Sequence, residues 1–129
     1  MGGLASGEAL VSRDQISFLG GVDAATGIVI ERGHSLYGAC VKNKILMFPG
    51  GKGSTVGSYV IFSLKKHNVA PAAMINQETE TIIATGCVVA AIPLVDRPST
   101  DIFEIASTGD HIDLNADKRI VTVRKKLHS

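Results

Sequence analysis

From Phe48 to Ser58 the chain reads Phe48-Pro49-Gly50-Gly51-Lys52-Gly53-Ser54-Thr55-Val56-Gly57-Ser58, placing four glycines, two serines, a threonine and a lysine between two apolar segments. Upstream, Lys44-Ile45-Leu46-Met47-Phe48 is too short and too apolar for a helix and predicts a buried strand. Downstream, Val56, Tyr59, Val60, Leu64 and His67 fall at helical spacing, with Ser63 completing the stripe. The pattern therefore predicts a strand, a glycine turn and a helix N-terminus, with Ser54 as N-cap.

A turn of this kind leaves backbone N–H groups pointing out of the helix start, where the dipole favours negative charge. Glycine lets a ligand approach the backbone and tolerates positive φ. Two readings stand side by side. A carboxylate or phosphate could sit on the turn with Lys52 as a mobile cation, or the turn is only a tight connection whose serines serve as caps. Two nucleotide motifs are excluded. A Walker A loop needs Ser or Thr directly after Gly-Lys, but Gly53 follows Lys52, and Leu46 stands where its first glycine belongs. The dinucleotide fingerprint fails at Val56, where its third glycine belongs.

With 129 residues, one domain spanning 1–129 is expected. Thirteen basic and twelve acidic side chains nearly cancel, so nothing points to nucleic acid or to an anionic membrane surface. The longest apolar run, Cys87 to Val95, is too short to span a bilayer and contains Pro93. No secretory leader is read at the amino terminus. The apolar surplus suggests a buried partner interface. Cys40 and Cys87 stand apart, which reads as two buried, reduced thiols of a cytoplasmic protein. His34, His67, His111 and His128 show no metal-ligand spacing, and no metal site is expected.

Along the chain, Gly7 to Val11 is an opening strand, and Asp23 begins a turn ending at Gly27 or lines a site. Ile28 to Glu31 reads as a β-branched strand, and Lys65 to Asn68 closes the central helix. Pro71 to Ile75 is a strand, Glu78 to Ala91 a second helix with Ile82, Ile83, Cys87 and Ala90 on one side, and Ile92 to Val95 another strand. His111 to Leu114 and Arg119 to Val123 form a terminal hairpin. The total is about six strands and two helices, an α+β domain.

The motifs Gly51-Lys52-Gly53-Ser54-Thr55-Val56-Gly57-Ser58, Ala70-Pro71-Ala72, Ala84-Thr85-Gly86 and Ile92-Pro93-Leu94-Val95-Asp96, with Ser17 to Asp23 before them, resemble the small subunit of aconitase X enzymes. The motifs cover most of the chain in the family's order. The stretches Ser54 to Val60 and Glu80 to Gly86 are most similar to the archaeal branch acting on phosphomevalonate. The resemblance implies a single swivelling β/β/α domain, equivalent to the mobile domain of aconitase. It also implies a large catalytic subunit holding an iron–sulfur cluster, of the 4Fe–4S kind, on its own cysteines. The implied reaction is hydro-lyase chemistry on a small phosphorylated substrate, (R)-5-phosphomevalonate, giving trans-anhydromevalonate 5-phosphate. Related enzymes dehydrate cis-3-hydroxy-L-proline instead.

In ordinary aconitases the matching loop reads Gly-Ser-Ser-Arg-Glu-His, and its first serine takes the substrate proton. The resemblance assigns that role to Ser54, while Val56 stands in place of the arginine, and Gly57 and Ser58 in place of the glutamate and histidine. Substrate contacts are then expected from Lys52, Gly53, Thr55, Gly57 and Ser58, with Asp23 alongside. The competing reading is a non-catalytic swivelling binding or carrier domain. A phosphohistidine carrier needs a histidine on an exposed loop, and the glycine loop has none.

Overall fold

The structure, a computed structural model, describes residues 2–98 and 102–126. Six strands form one mixed sheet: β1 (Leu4–Val11), β2 (Ile45–Phe48), β3 (Ala73–Asn76), β4 (Leu94–Asp96), β5 (His111–Asn115) and β6 (Ile120–Arg124), in the order β4-β3-β2-β1-β5-β6. The pairs β1–β2, β2–β3 and β3–β4 are parallel, whereas β5 and β6 are added antiparallel beside β1. Strands buried on both faces read as continuous apolar runs, as Ile45-Leu46-Met47-Phe48 and Ala73-Met74-Ile75 do. The hairpin strand β5 instead alternates, burying Ile112 and Leu114.

Alternation along the strands separates two cores. Leu10, Leu46, Phe48 and Met74 face one side, where they meet the helices α2 (Gly57–Lys66) and α3 (Thr81–Ala90). Ala9, Ile45, Met47, Ile75 and Val95 face the other side, packed by Ile112, Leu114 and the short helix α4 (Ile102–Ile105). The helices α2 and α3 join consecutive parallel strands, so both lie in the first core. The α2 helix ends on Lys65 and Lys66, with Asn68 left-handed at φ 59°, as expected from cations and an asparagine at a carbonyl end.

Three local expectations change. The predicted strand Ile28–Glu31 makes only isolated bridges, Val22 to Val29 and Ile28 to Cys40. Its backbone bonds go to the neighbouring loop, with Ile30 N–H on Gly21 O and Val29 N–H on Ala39 O. Val29 thereby plugs the helix-side core, and the segment does not extend the sheet. The α2 stripe is also shifted: Gly57, Ile61 and Leu64 are buried, while Val56 and Tyr59 face outward at 46% and 72% exposure. Finally, regular helix begins at Gly57 with Val56 as N-cap, and not at Ser54. The residues between form successive i→i+3 turns, with Gly57 N–H on Ser54 O at 2.9 Å and Tyr59 N–H on Val56 O at 2.9 Å.

Candidate active site

The glycine loop leaves the C-terminal end of β2 and is held from two sides. Ile16 bridges Gly51: Ile16 N–H donates to Gly50 O at 3.1 Å and Lys52 N–H to Ile16 O at 3.0 Å. From the other side the start of α3 presses in. The Glu80 carboxylate caps α3 by accepting the N–H groups of Ile82 and Ile83, both at 3.0 Å. A Cβ on Gly51 would stand 2.5 Å from Glu80 Oε1 and 2.7 Å from Ile83 Cγ1, so glycine alone fits there. At Gly53 the chain turns at φ +90°, and a Cβ would run into the Ser17 hydroxyl. Ser17 is the N-cap of the turn α1 (Phe18–Gly21), whose Phe18 packs edge-on to Phe48 with ring centroids 6.1 Å apart.

Beyond Gly53 the loop is exposed through Val56. Among the described residues, the N–H groups of Gly53, Ser54 and Thr55 have no partner inside the protein. Three consecutive unbonded amides in an exposed stretch just before a ten-residue helix suit an anion. The serines nearby differ in how they use their protons. Ser17 donates its hydroxyl to Leu19 O at 3.1 Å, and Ser58 donates to Thr55 O at 3.0 Å. Ser54 Oγ instead accepts Val56 N–H at 3.1 Å, and its own proton has no acceptor among the described residues.

Lys52, Gly53, Ser54 and Thr55 lie in one loop, which runs through Val56 into Gly57 and Ser58 at the start of α2. Gly57 is its buried end, with Ile82 Cγ2 3.2 Å from where a Cβ would stand. Asp23 is engaged in its own turn: its Oδ1 accepts Ala25 N–H at 3.0 Å and its carbonyl accepts Gly27 N–H at 2.8 Å. No hydrogen bond or ion pair joins Asp23 to the loop among the described residues. Sequence reasoning passed over Glu31, whose Oε2 lies 3.5 Å from Lys52 Nζ. It also passed over Glu80, whose only signal was an acid at the start of an apolar helix.

His34 is buried and fully employed. Its Nδ1 accepts Leu36 N–H at 3.0 Å, so the ring is the Nε2–H tautomer, donating to Gln15 O at 3.0 Å. His111 contacts Asp113 and His67 the end of α2, while His128 lies outside the described residues. Among the described residues no three His, Cys, Asp or Glu side chains gather to hold a metal. Two surface hollows, of about 620 Å³ beside Arg13, Pro49 and Thr108 and about 480 Å³ beside Leu4, Ser6 and Ile120, exclude Ser54. Ser54 lies within the exposed stretch from Lys52 to Val56.

Residues 1–123 match the family described as the aconitase X swivel domain, and the chain belongs to that family. Its sheet and helices are those of a swivel domain: the chain superposes with a TM-score of 0.90 on the structure titled as Thermococcus kodakaraensis aconitase X in its holo-form. That chain is 49% identical, the match covering 96% of this chain and 92% of the other. Among relatives, the phosphomevalonate dehydratase small subunit of Methanococcoides burtonii is 54% identical over 92% of this chain and 87% of its own. That of Methanocella arvoryzae is 56% identical over 93% of this chain and 91% of its own.

Proposed function

We propose that this chain is the small subunit of a two-chain hydro-lyase that dehydrates (R)-5-phosphomevalonate to trans-anhydromevalonate 5-phosphate, with Ser54 as the general base. The observation that carries this reading is the hydrogen bonding of Ser54: it receives an N–H and leaves its own hydroxyl proton uncommitted, unlike Ser17 and Ser58. A free serine hydroxyl is far too weak an acid to work as a base near neutral pH. An alkoxide at Ser54 would be favoured by the Val56 N–H, by the open amides of the loop and by the positive end of α2. In the forward step a Ser54 alkoxide takes the proton from the substrate carbon, the C–H pair becomes the new C=C bond, and the C–O pair leaves with the hydroxyl on the adjacent carbon as hydroxide, which takes up a proton from solvent and is released as water. Lys52 and the amides of Gly53 to Thr55 would hold an anionic group of the substrate.

A larger partner subunit fits the surface around the serine. Leu19, Val56 and Tyr59 are apolar or aromatic and exposed at 46%, 46% and 72%, and the Leu19 backbone lies 3.8 Å from the Cβ position of Gly57. An iron–sulfur cluster does not fit the residues of this chain. Cys87 lies in the core with Sγ 3.5 Å from Met74 Sδ, and burial pushes its thiol up to about 12. Cys40, expected to be buried, is only partly so, and its Sγ donates to Thr26 O at 3.5 Å. Neither sulfur is bonded to the glycine loop, which supports placing the cluster ligands on the larger chain. The buried, doubly bonded His34 speaks against a phosphohistidine carrier.

The test is reconstitution of the purified chain with a cluster-bearing large subunit, and comparison of kcat/KM for 5-phosphomevalonate and cis-3-hydroxy-L-proline. A preference for the phosphorylated substrate supports the proposal. Preference for the proline derivative, or turnover by the chain alone, overturns it.

A further inference from the structure

We propose that Glu80 is a positioning residue for Ser54: its carboxylate is the wall against which Gly51 rests, so the start of α3 sets where the serine stands. This rests on the reading of Ser54 as the base. The segment leading into α3 runs beside the glycine loop. Glu78 N–H donates to Pro49 O at 3.0 Å, and a Cβ on Gly50 would stand 2.7 Å from Glu78 O. The ends of the parallel strands fix that segment in turn. The buried Asn76 donates its side-chain amide to Phe48 O at 3.1 Å and accepts the Thr79 hydroxyl at 3.1 Å. Asp96 Oδ1 accepts Thr79 N–H at 2.7 Å. Glu80 therefore follows a segment tied to β2, β3 and β4. Ile16 holds the loop's other flank through Gly50 O and Lys52 N–H. Gly51 is the last buried residue before Ser54, and the next backbone bond along the loop is that of Ser54 O with Gly57 N–H. The serine is thus located from Gly51 on one side and from α2 on the other.

Glu80 has two tasks that chemistry can separate. As N-cap it accepts the N–H groups of Ile82 on Oε2 and Ile83 on Oε1, which stabilises α3. As wall, its Oε1 lies 2.5 Å from where a Cβ on Gly51 would stand, beside Ile83 Cγ1 at 2.7 Å. Aspartate is among the preferred N-caps, so it keeps the first task. It lacks the methylene that carries Oε1 to Gly51, so it gives up the second. Glutamine has the length to keep the wall but accepts with one oxygen only, which weakens the cap.

The test compares Glu80→Asp with Glu80→Gln in the full chain, alone and in complex with the large subunit. The urea midpoint should stay at the wild-type value in Glu80→Asp and fall in Glu80→Gln. In the isotope-labelled chain the amide resonances of Gly51 to Thr55 should move in Glu80→Asp and move far less in Glu80→Gln. In the complex, Glu80→Asp should lower kcat by ~10²-fold, the scale of a reacting group displaced by about 1 Å, with a much smaller change in KM. Glu80→Gln, the variant of conserved length, should recover most of that rate. Activity that follows stability, with Glu80→Gln the slower variant, would make Glu80 a helix cap alone and overturns the proposal. Unmoved loop amides in Glu80→Asp overturn it too. Moved amides with an unchanged kcat overturn it through the reading of Ser54 as base, so the two failures are told apart.

Discussion

Ser54 Oγ accepts the amide hydrogen of Val56 at 3.1 Å, and Val56 is the N-cap of α2, so the exposed serine is bonded directly to the positive end of a helix that packs one face on the core. The helix is held by Ile61 and Leu64 in the core, which gives the serine a rigid base although it lies on a loop. Ser54→Ala in the reconstituted complex should lower kcat by the ~10²–10⁴-fold typical of losing a general base. The lost Val56 bond should cost about 0.5–1.5 kcal/mol, the net value of one hydrogen bond, leaving assembly intact. Ser58, whose hydroxyl is spent on Thr55 O, should affect KM more than kcat when changed to alanine. Single-turnover kinetics on both variants decide this; near-wild-type turnover by Ser54→Ala would refute Ser54 as base.

Gly53→Ala should damage the same loop for a backbone reason. A φ of +90° is foreign to alanine, and the new methyl would meet the Ser17 hydroxyl. The combined strain is on the order of 1–3 kcal/mol. Urea unfolding should show the loss, and removing the Ser17 hydroxyl by Ser17→Ala should recover only the steric part.

Gly86 on α3 faces Ile61 on α2, and a Cβ there would stand 2.6 Å from Ile61 Cδ1 and 3.0 Å from Ile61 Cβ. Ile61 is fully buried and has little room to retreat. Gly86→Ala gains about 1 kcal/mol of helix propensity but overpacks the core by about 1–3 kcal/mol. The expected result is a lower unfolding midpoint. A rise would show that α2 and α3 separate freely.

Asp110 accepts bonds from Lys125 Nζ, Lys126 N–H and Ser107 N–H, at 2.6, 2.8 and 2.8 Å, and these hold its carboxyl down at about 2, led by the Lys125 bond. The folded value lies below the unfolded one, near 3.9. Its stabilisation is therefore complete above about pH 4 and is lost as pH falls toward 2. Asp110→Asn should lower stability at neutral pH and flatten its decline between pH 4 and pH 2. Some slope will remain, because Glu8 and Asp14 are also lowered, chiefly by the hydrogen bonds from Lys44 and from the Ser35 amide. An unchanged acid limb would refute the assignment.

The sequence alone determined a strand ending at Phe48, the glycine turn, a helix within Glu78 to Ala91 (its first turn begins only at Thr81), the terminal hairpin and the family, because each is written in neighbouring residues or in motifs kept in order. Burial of β2 on both faces is visible as an unbroken apolar run. The phase of α2 was not visible. Hydrophobic periodicity counts side chains, and the buried position Gly57 has none, so Val56 and Tyr59 looked like core when they are surface. Ile28–Glu31 carries strand-forming residues, yet its backbone partners lie at Gly21 and Ala39 in the same long connection, a pairing that propensity does not encode. The meeting of Lys52 with Glu31, of Gly53 with Ser17, and of Gly86 with Ile61 was decided only by tertiary structure. Local patterns report what each segment buries; which charges and glycines meet depends on how the sheet order stacks segments that are far apart in the chain.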